Sequence, residues 1–391
     1  RVYDLQGAGI LIAGNASEPA RYNLIWNNHI WNTPDEGVYV GAGGHGEDAN
    51  HAYWTHIVGN DISTQGSAAN ALMENAIDLK EYNIGDLVEG NLIHDYDLMT
   101  GYNGAIDIRN GKRDVLVYNN VLRDIGRATN APSSLMVVYG GSQDIVVANN
   151  LLFATGAAGQ PVHAFDIDGT ASSNVAIVHN TVRGTDRGLL LQDYGSAPDV
   201  TIANNVFDFV GGGFVEWGSE GRFTLRNNLY ASDPGGYAAE PGRLVADPLW
   251  LDPAAGDFHL QTGSPAADAG HPADALLALD QDGISRLSDM APDRGAFELA
   301  SDPQPPVAAF TASPTQGVAP LTVQFVETST GAPTSVLWDF GDGATSSEPD
   351  STSHVYSAPG TYTVALTVTN DQGSDTLTRT DFDAETRVRT L

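Results

Sequence analysis

The residues best placed to do chemistry lie in a short phrase that the sequence contains twice. The segment Ala76–Lys80 (AIDLK) recurs 29 residues later as Ala105–Arg109 (AIDIR). Each copy alternates apolar and charged residues, which predicts a strand with one buried face and one exposed face. If the two copies stack, two carboxylates and two cations meet on the exposed face, where they could move a proton or hold an anion. The side chains concerned are Asp78, Lys80, Asp107 and Arg109.

Composition limits the partners of such a site. The 391-residue chain carries a net charge of −31, and its only lysines are Lys80 and Lys112. A field of this sign repels nucleic acids and anionic membranes, so the sequence predicts neither a nucleic-acid partner nor membrane insertion. It also repels acidic polysaccharides, unless bound cations or a local basic patch intervene. The chain has no cysteine and no apolar run near the ~18 residues of a membrane-spanning helix.

An internal repeat predicts the fold. An Asn followed by apolar residues recurs every 23 to 32 residues, and two or three short strands occupy each period. This pattern predicts about eight coils of a parallel β-solenoid over residues 1–230. Asn suits a corner because it tolerates the left-handed conformation and its amide can bond the amide one coil away. The repeated residues are Asn28, Asn60, Asn91, Asn120, Asn150, Asn180, Asn205 and Asn228.

The repeat resembles the right-handed parallel β-helix superfamily of pectate-lyase-like proteins, over about residues 1–300. The chain begins at Arg1 inside a repeat, so we expect a mature product or a fragment. Residues 231–300 resemble the closing segment of secreted bacterial β-helix proteins, and an open solenoid end needs a cap. Within it, Asp280 and Asp282 could bind Ca²⁺ or form a salt-bridged turn with Arg286 or Arg294.

The C-terminal part has a different pattern. Residues 301–306 predict a linker stiffened by three prolines, and residues 307–391 predict an all-β sandwich of short alternating strands. The phrases Trp338–Gly343 and His354–Val364 are similar to those of polycystic-kidney-disease-type (PKD) domains. The resemblance implies an immunoglobulin-like extracellular accessory module, with Trp338 in its core and Asp339 and Asp342 in turns.

The β-helix resemblance also implies a reaction. β-Elimination on a uronic acid needs a base for the C5 proton, a cation for the adjacent carboxylate and an acid for the leaving oxygen. Several β-helix lyase families use Lys or Arg as the base, with Ca²⁺ held by carboxylates. By this resemblance Lys80 is the base, and Arg109 binds the carboxylate or protonates the leaving group. The implied Ca²⁺ ligands are Asp78, Asp107, and Glu81 or Glu74.

Further residues are predicted to contact a sugar chain. The outward positions of later coils continue the polar strip at a spacing of about 4.8 Å. The candidates there are Tyr139, Asp166, Asp168 and Gln192. A Gly-rich insertion at 41–56 is expected to overhang Lys80, with His51 for proton transfer and Trp54 among its aromatic residues.

Two alternatives stay open. Glycoside hydrolysis could use Asp78 and Asp107 at about 5 Å, or Asp107 and Asp166 at about 9.6 Å. Alternatively, the charges form a salt-bridge lattice with Asp78–Arg109 and Lys80–Asp107 diagonals in a non-catalytic adhesion, surface or filament protein. That protein would self-assemble through its solenoid ends or its PKD domain. The sequence favours a secreted, carbohydrate-active polysaccharide lyase whose partner is a polysaccharide or cell-surface glycan.

Overall fold

The computed structural model consists of two compact units, residues 1–299 and 300–391. It describes residues 2–3, 8–15, 17–33, 35–41, 52–63, 72–81, 83–98, 104–127, 134–153, 163–168, 171–185, 187–192, 199–209, 215–217, 223–233, 235, 240–287, 291–299, 306–330, 333–349, 351–370 and 373–385.

The first unit is a parallel β-solenoid with three sheets, and each complete coil passes through them in the same order. The first sheet has eight strands: Ile10–Ile12, Glu36–Val40, Asn75–Leu79, Gly104–Ile108, Ser134–Val138, His163–Asp168, Arg187–Gln192 and Val215–Trp217. The second sheet also has eight strands: Leu24–Trp26, His56–Val58, Leu87–Glu89, Arg113–Tyr118, Gln143–Ala148, Ser173–Val178, Val200–Ala203 and Thr224–Arg226. Each of these two sheets therefore stacks eight strands, one from each coil.

The third sheet closes each coil and runs one strand past the predicted end at residue 230. Its strands are Val2–Tyr3, His29–Trp31, Asp61–Ser63, Leu92–Leu98, Val121–Arg127, Leu151–Phe153, Thr181–Thr185, Val206–Phe209, Leu229–Tyr230 and Leu244–Val245, and Leu72–Met73 pairs with Leu92–Leu98. A short pair, Ala20–Arg21 and Ala52–Tyr53, precedes the second sheet in the first coils.

Stacked apolar side chains form the core of the solenoid. The predicted inward pairs of the first sheet lie in register, with Ile77 beside Ile106 and Leu79 beside Ile108. These four residues are completely or almost completely buried. The alternation of apolar residues thus placed the strand register correctly, because a shift by one residue would turn every apolar side chain outward.

The predicted Asn ladder is present. Each ladder amide from Asn28 to Asn205 donates from Nδ2 to Oδ1 of the ladder Asn in the next coil, at 2.9–3.1 Å. The left-handed conformation was predicted at the wrong residue. Positive φ belongs to the residue before each ladder Asn, which leaves the Asn itself free to stack. These preceding residues are Asn27, Gly59, Gly90, Asn119, Asn149, His179, Asn204 and Asn227.

The segment after the last coil packs on the third sheet. It contains a hairpin of Trp250–Asp252 and Asp257–Leu260 and a 3₁₀ turn at Pro272–Asp274. Trp250, Phe258 and Phe297 form an apolar cluster with Leu151 and Val206 of the third sheet. The segment therefore covers part of the outer face of the third sheet with its own hydrophobic residues, and its role as a cap of the open end stays a prediction.

The C-terminal unit is a β-sandwich. One sheet contains Phe310–Ser313, Leu321–Glu327 and Ser351–Tyr356, and the other contains Gln316–Val318, Gly373–Glu385, Gly360–Asn370, Ser335–Asp339 and Thr345–Ser346. Trp338 is completely buried against Phe310 and Phe325. Asp339 and Asp342 accept backbone N–H groups within the turn at 2.9 and 3.0 Å. The predicted core and turn roles in this unit are confirmed.

Candidate functional site

The two repeated phrases lie side by side in the first sheet, and their aspartates are buried. Asp78 pairs in register with Asp107, as predicted. Both side chains have no solvent exposure, so the prediction of an open, solvated face at these two positions is wrong. Alternation identifies which side chains point away from the core, but it does not reveal whether other residues cover that face.

Ion pairs hold the four charged residues together, and we call them the charged cluster (Asp78, Lys80, Asp107 and Arg109). Lys80 Nζ lies 2.8 Å from Asp78 Oδ2, and Arg109 Nε lies 3.1 Å from Asp78 Oδ1. Arg109 Nη2 also lies 3.0 Å from Asp107 Oδ2, while the other oxygen of Asp107 accepts the Gly104 N–H at 2.7 Å. The predicted Asp78–Arg109 diagonal is therefore present, whereas Lys80 pairs with Asp78 of its own strand and not with Asp107.

Two tyrosines flank the cations. Lys80 Nζ lies 4.8 Å from the ring centroid of Tyr39, and Arg109 Cζ lies 5.0 Å from that of Tyr139. Arg109 Nη1 also donates to the Tyr139 hydroxyl at 3.2 Å. The side chains of Lys80 and Arg109 keep 20% and 18% of their surface exposed. Solvent therefore reaches this cluster through its cations and not through its carboxyl groups.

Burial changes the protonation of several groups here. It raises the pKa of Asp107 well above its usual range, although the positive charge of Arg109 opposes the shift. Burial, together with the negative charges of Asp78 and Glu74, raises the pKa of Glu36 to about 7. Glu36 begins a strand of the first sheet and pairs in register with Asn75. Glu36 was not among the predicted site residues, because an acid at a strand start carries no sign that it is buried.

Lys80 is held in its charged form. Burial lowers its pKa, but the charge of Asp78 and its hydrogen bond outweigh that effect and raise the pKa. Arg109 likewise has a raised pKa, because Asp107 and Asp78 outweigh the cost of burial. A base must be deprotonated to act, so the arrangement described here is unfavourable to Lys80 as the base.

A second buried pair lies beside this cluster. Lys112 Nζ donates to Asp86 Oδ2 at 2.6 Å, and both side chains are fully buried. Asp86 Oδ1 accepts the Thr55 N–H at 3.2 Å. These contacts join neighbouring coils where the second sheet begins, and they give one of the two lysines of the chain a structural partner.

The other predicted site residues are not brought into one group. Asp166 is buried in the same ladder of the first sheet, two strands from Asp107, with Val137 between them. Asp168 is half-buried and pairs in register with Gln192, whose side chain lies outside the described residues, as does His51. Trp54 lies at the start of the second sheet and is partly exposed. The roles assigned to these residues stay predictions.

The predicted metal ligands do not fit a Ca²⁺ site as they are arranged. Asp78 and Asp107 oxygens face Lys80 and Arg109, which would repel a divalent cation. Across the part of the chain that the structure describes, no group of three or more His, Asp or Glu side chains could hold a metal ion.

Asp280 in the capping segment serves as a turn residue. Its carboxylate accepts the N–H groups of Asp282, Ile284 and Glu298 at 2.7–2.9 Å. Asp282 pairs with His259 at 2.5 Å. The turn was expected, but the expected salt-bridge partners were wrong. Arg286 instead pairs with Glu298, and Arg294 Nε donates to the Ala269 carbonyl at 2.8 Å.

Comparison with known proteins identifies the second unit. A protein-family model described as PKD domain matches residues 301–383. A collagenase of Bacillus cereus, ColA, is 41% identical over 71 residues, which are 17% of this chain and 7% of that protein. The chain thus spans only a small part of the curated relative it matches.

The solved structures similar to the chain match from about a fifth of it to nearly all of it. The PKD1 domain of the Vibrio cholerae metalloprotease PrtV is 39% identical over 21% of this chain and all of that chain, with a TM-score of 0.19. A structure described with carbohydrate-binding modules of the β-sandwich superfamily is 34% identical over 22% of this chain and 36% of that one, with a TM-score of 0.21. A tailspike protein of bacteriophage CBA120 is 10% identical over 97% of this chain and 62% of that one, with a TM-score of 0.22.

The described residues include no helix that is long and apolar enough to cross a membrane. The architecture is all-β throughout, apart from one short 3₁₀ turn among those residues. The parallel β-solenoid is thus followed by a β-sandwich that has the expected core, turns and family match, and this C-terminal unit is a PKD domain.

Proposed function

We propose that this protein is an extracellular, carbohydrate-active protein that binds an acidic polysaccharide at the charged cluster. The observation that carries the proposal is the exposure of the two cations above two fully buried carboxyl groups. Lys80 and Arg109 thus present positive charge to solvent, whereas Asp78 and Asp107 lie buried beneath them. A local patch of this sign is what an anionic sugar needs on a chain whose net charge is −31.

The proposed reaction is β-elimination. Arg109 stays charged and would neutralise the uronate carboxylate, which makes the C5 proton easier to remove. The leaving oxygen takes a proton from solvent as the C4–O bond breaks and the C4–C5 double bond forms, because Asp107 is fully buried and its oxygens face Arg109 and the Gly104 N–H. For Lys80 to accept the C5 proton, substrate binding must first break its pair with Asp78, so that Lys80 can give its own proton to solvent.

Extracellular location is supported by the PKD domain and by its likeness to part of a collagenase. A PKD domain beside a solenoid fits an accessory module that keeps an enzyme near a large substrate. The polysaccharide partner is an inference from the cluster's charge, since fold alone does not determine function.

One observation favours a second candidate, a non-catalytic extracellular protein. Asp78 and Asp107 are fully buried, and both are engaged by Arg109 within 3.1 Å. A pairing of this kind can join two coils without any ligand. In that case the charged cluster only holds the two coils together, and the protein functions by adhesion or assembly through its outer surfaces.

The test is cleavage of polygalacturonate, alginate and chondroitin sulfate by the full chain, followed by the ultraviolet absorbance of unsaturated products. The wild type should generate this signal, Arg109→Gln should lose it, and Arg123→Gln should retain it. Arg123 is a matched control because it pairs with Asp124 at 2.6 Å on another sheet. New reducing ends without unsaturated product would show that the reaction is hydrolysis and not β-elimination. No product and no binding would refute the proposed function.

A further inference from the structure

An exposed stack of aromatic rings lies at the start of the second sheet. The rings of Tyr22 and Trp54 are 5.0 Å apart at their centroids and nearly parallel, at 9°. Tyr22 is 75% exposed and Trp54 is 36% exposed. The ring separation is close to the spacing of neighbouring strands, because the two residues occupy equivalent corners of adjacent coils. We call Tyr22, Trp54 and the adjoining Arg21 the aromatic corner.

The backbone at this corner is unfavourable for aromatic residues. Tyr22 and Trp54 have φ values of 56° and 55°, in the left-handed region that bulky side chains rarely adopt. The equivalent residue, six positions before the ladder Asn of each coil, is polar or glycine in the next four coils. Those residues are Gly85, Asp114, Asp144 and Asn174, which also have positive φ. Folding therefore requires a left-handed residue at this corner, but it does not require an aromatic one.

The next coil leaves room for the stack. A Cβ atom on Gly85 would lie 2.2 Å from Trp54 Cδ1, so the Trp54 ring occupies the space that a side chain there would need. A left-handed backbone at exposed aromatic residues is a reason to look for a binding role. Leu24 and Trp26 on the same coil are 64% and 65% exposed, which extends the apolar surface.

Charge indicates the kind of ligand. The guanidinium of Arg21 lies 5.4 Å from the ring centroid of Tyr53 and 5.9 Å from that of Trp54. A cation held against aromatic rings offers a flat apolar face and a donor for an anionic group side by side. The C–H face of a sugar ring stacks on the aromatic face, and a carboxylate or sulfate of the sugar pairs with the guanidinium.

We infer that the aromatic corner is a binding subsite for an acidic polysaccharide, separate from the charged cluster. The choice of ligand rests on the proposed function, whereas the existence of the subsite does not require cleavage. The subsite would hold the polymer by stacking, so its contribution should survive when cleavage at the charged cluster is removed.

The test measures binding of polygalacturonate, alginate and chondroitin sulfate to the full chain in the Arg109→Gln background, by affinity electrophoresis and tryptophan fluorescence. Tyr22→Asn and Trp54→Asn introduce the residue that Asn174 provides at the same corner of a later coil. Each should raise the Kd at least tenfold and leave the Tm unchanged or higher. Leu251→Ala, at another exposed hydrophobic residue, should change neither quantity.

Charge recognition is tested separately. Arg21→Gln should weaken binding of the acidic polymers and leave binding of a neutral glucan unaltered. Unchanged affinity in Trp54→Asn would overturn the inference, and so would a Tm that falls in both Asn variants without a change in Kd. Loss of cleavage in Arg109→Gln with retained binding would support the subsite, whereas absent cleavage in the wild type would count against the proposed reaction alone.

Discussion

Replacing Arg109 with glutamine should destabilise the solenoid strongly. The guanidinium makes two contacts with Asp78, at 3.1 and 3.3 Å, and one with Asp107 at 3.0 Å. Its removal leaves Lys80 as the cation that contacts Asp78 directly, and leaves Asp107 with the Gly104 N–H. The stacking on Tyr139 is lost as well.

Breaking a buried ion pair by removing one partner costs about 3–5 kcal/mol, because the remaining charge stays buried. Asp107 can limit the loss by taking up a proton, since its pKa is already raised. We therefore expect a decrease of about 3 kcal/mol in the free energy of unfolding at low pH and a larger decrease at neutral pH. Urea unfolding, followed by circular dichroism at several pH values, measures both quantities.

The control is Arg123→Gln, whose partner Asp124 lies at a partly exposed position. That change should cost about 0–1 kcal/mol. The double variant Asp78→Asn/Arg109→Gln should recover part of the loss, because it no longer buries an unpaired carboxylate. If Arg109→Gln costs no more than Arg123→Gln, the reasoning about buried charge in this cluster is wrong.

Asn120→Ala should lower the free energy of unfolding by roughly 2–4 kcal/mol, because two ladder neighbours lose a side-chain partner at buried sites. Asn28→Ala, at a partly exposed position, should cost less, and equal losses in urea titrations would contradict a role for burial. Glu36→Gln should flatten the pH dependence of stability. Because the pKa of Glu36 is raised to about 7, the protonated side chain stabilises the folded state. This stabilisation is complete below about pH 4.5 and is lost as the pH rises through 7. If the free energy of unfolding of this variant changes with pH as steeply as that of the wild type, other groups cause the pH dependence.

The apolar register of the solenoid could be predicted because it depends on local alternation repeated along the chain. Ile77 and Ile106 stack where the matching phrases place them, and the ladder amides fix the alignment of the coils. The turn residues of the PKD domain could be predicted for the same reason, because their hydrogen-bond partners lie two residues away in the sequence. Such features need only residues close in sequence, or equivalent residues one coil away.

The environment of the charged residues could not be predicted in the same way. Burial of Asp78 depends on what covers the outer face of the first sheet, and strand alternation contains no information about that covering. The pairing of Lys80 depends on side-chain geometry, which selected Asp78 over Asp107. The Tyr22–Trp54 stack did leave a signal, because each residue lies six positions before a ladder Asn. Aligning corners as well as strands would have found it.

The Asn ladder gives the solenoid a chemical direction. Every Asn–Asn bond of the ladder points toward the C-terminal end, and the ladder finishes at Asn228, whose Nδ2 donates to Glu240 Oε1 at 2.8 Å. The other oxygen of Glu240 accepts the Tyr230 hydroxyl at 2.8 Å. In the ladder itself the internal coils are equivalent, since each accepts from one neighbour and donates to the next, whereas the last ladder Asn donates to a carboxylate. A solenoid of this kind can change length by whole coils during evolution while its final acceptor stays the same.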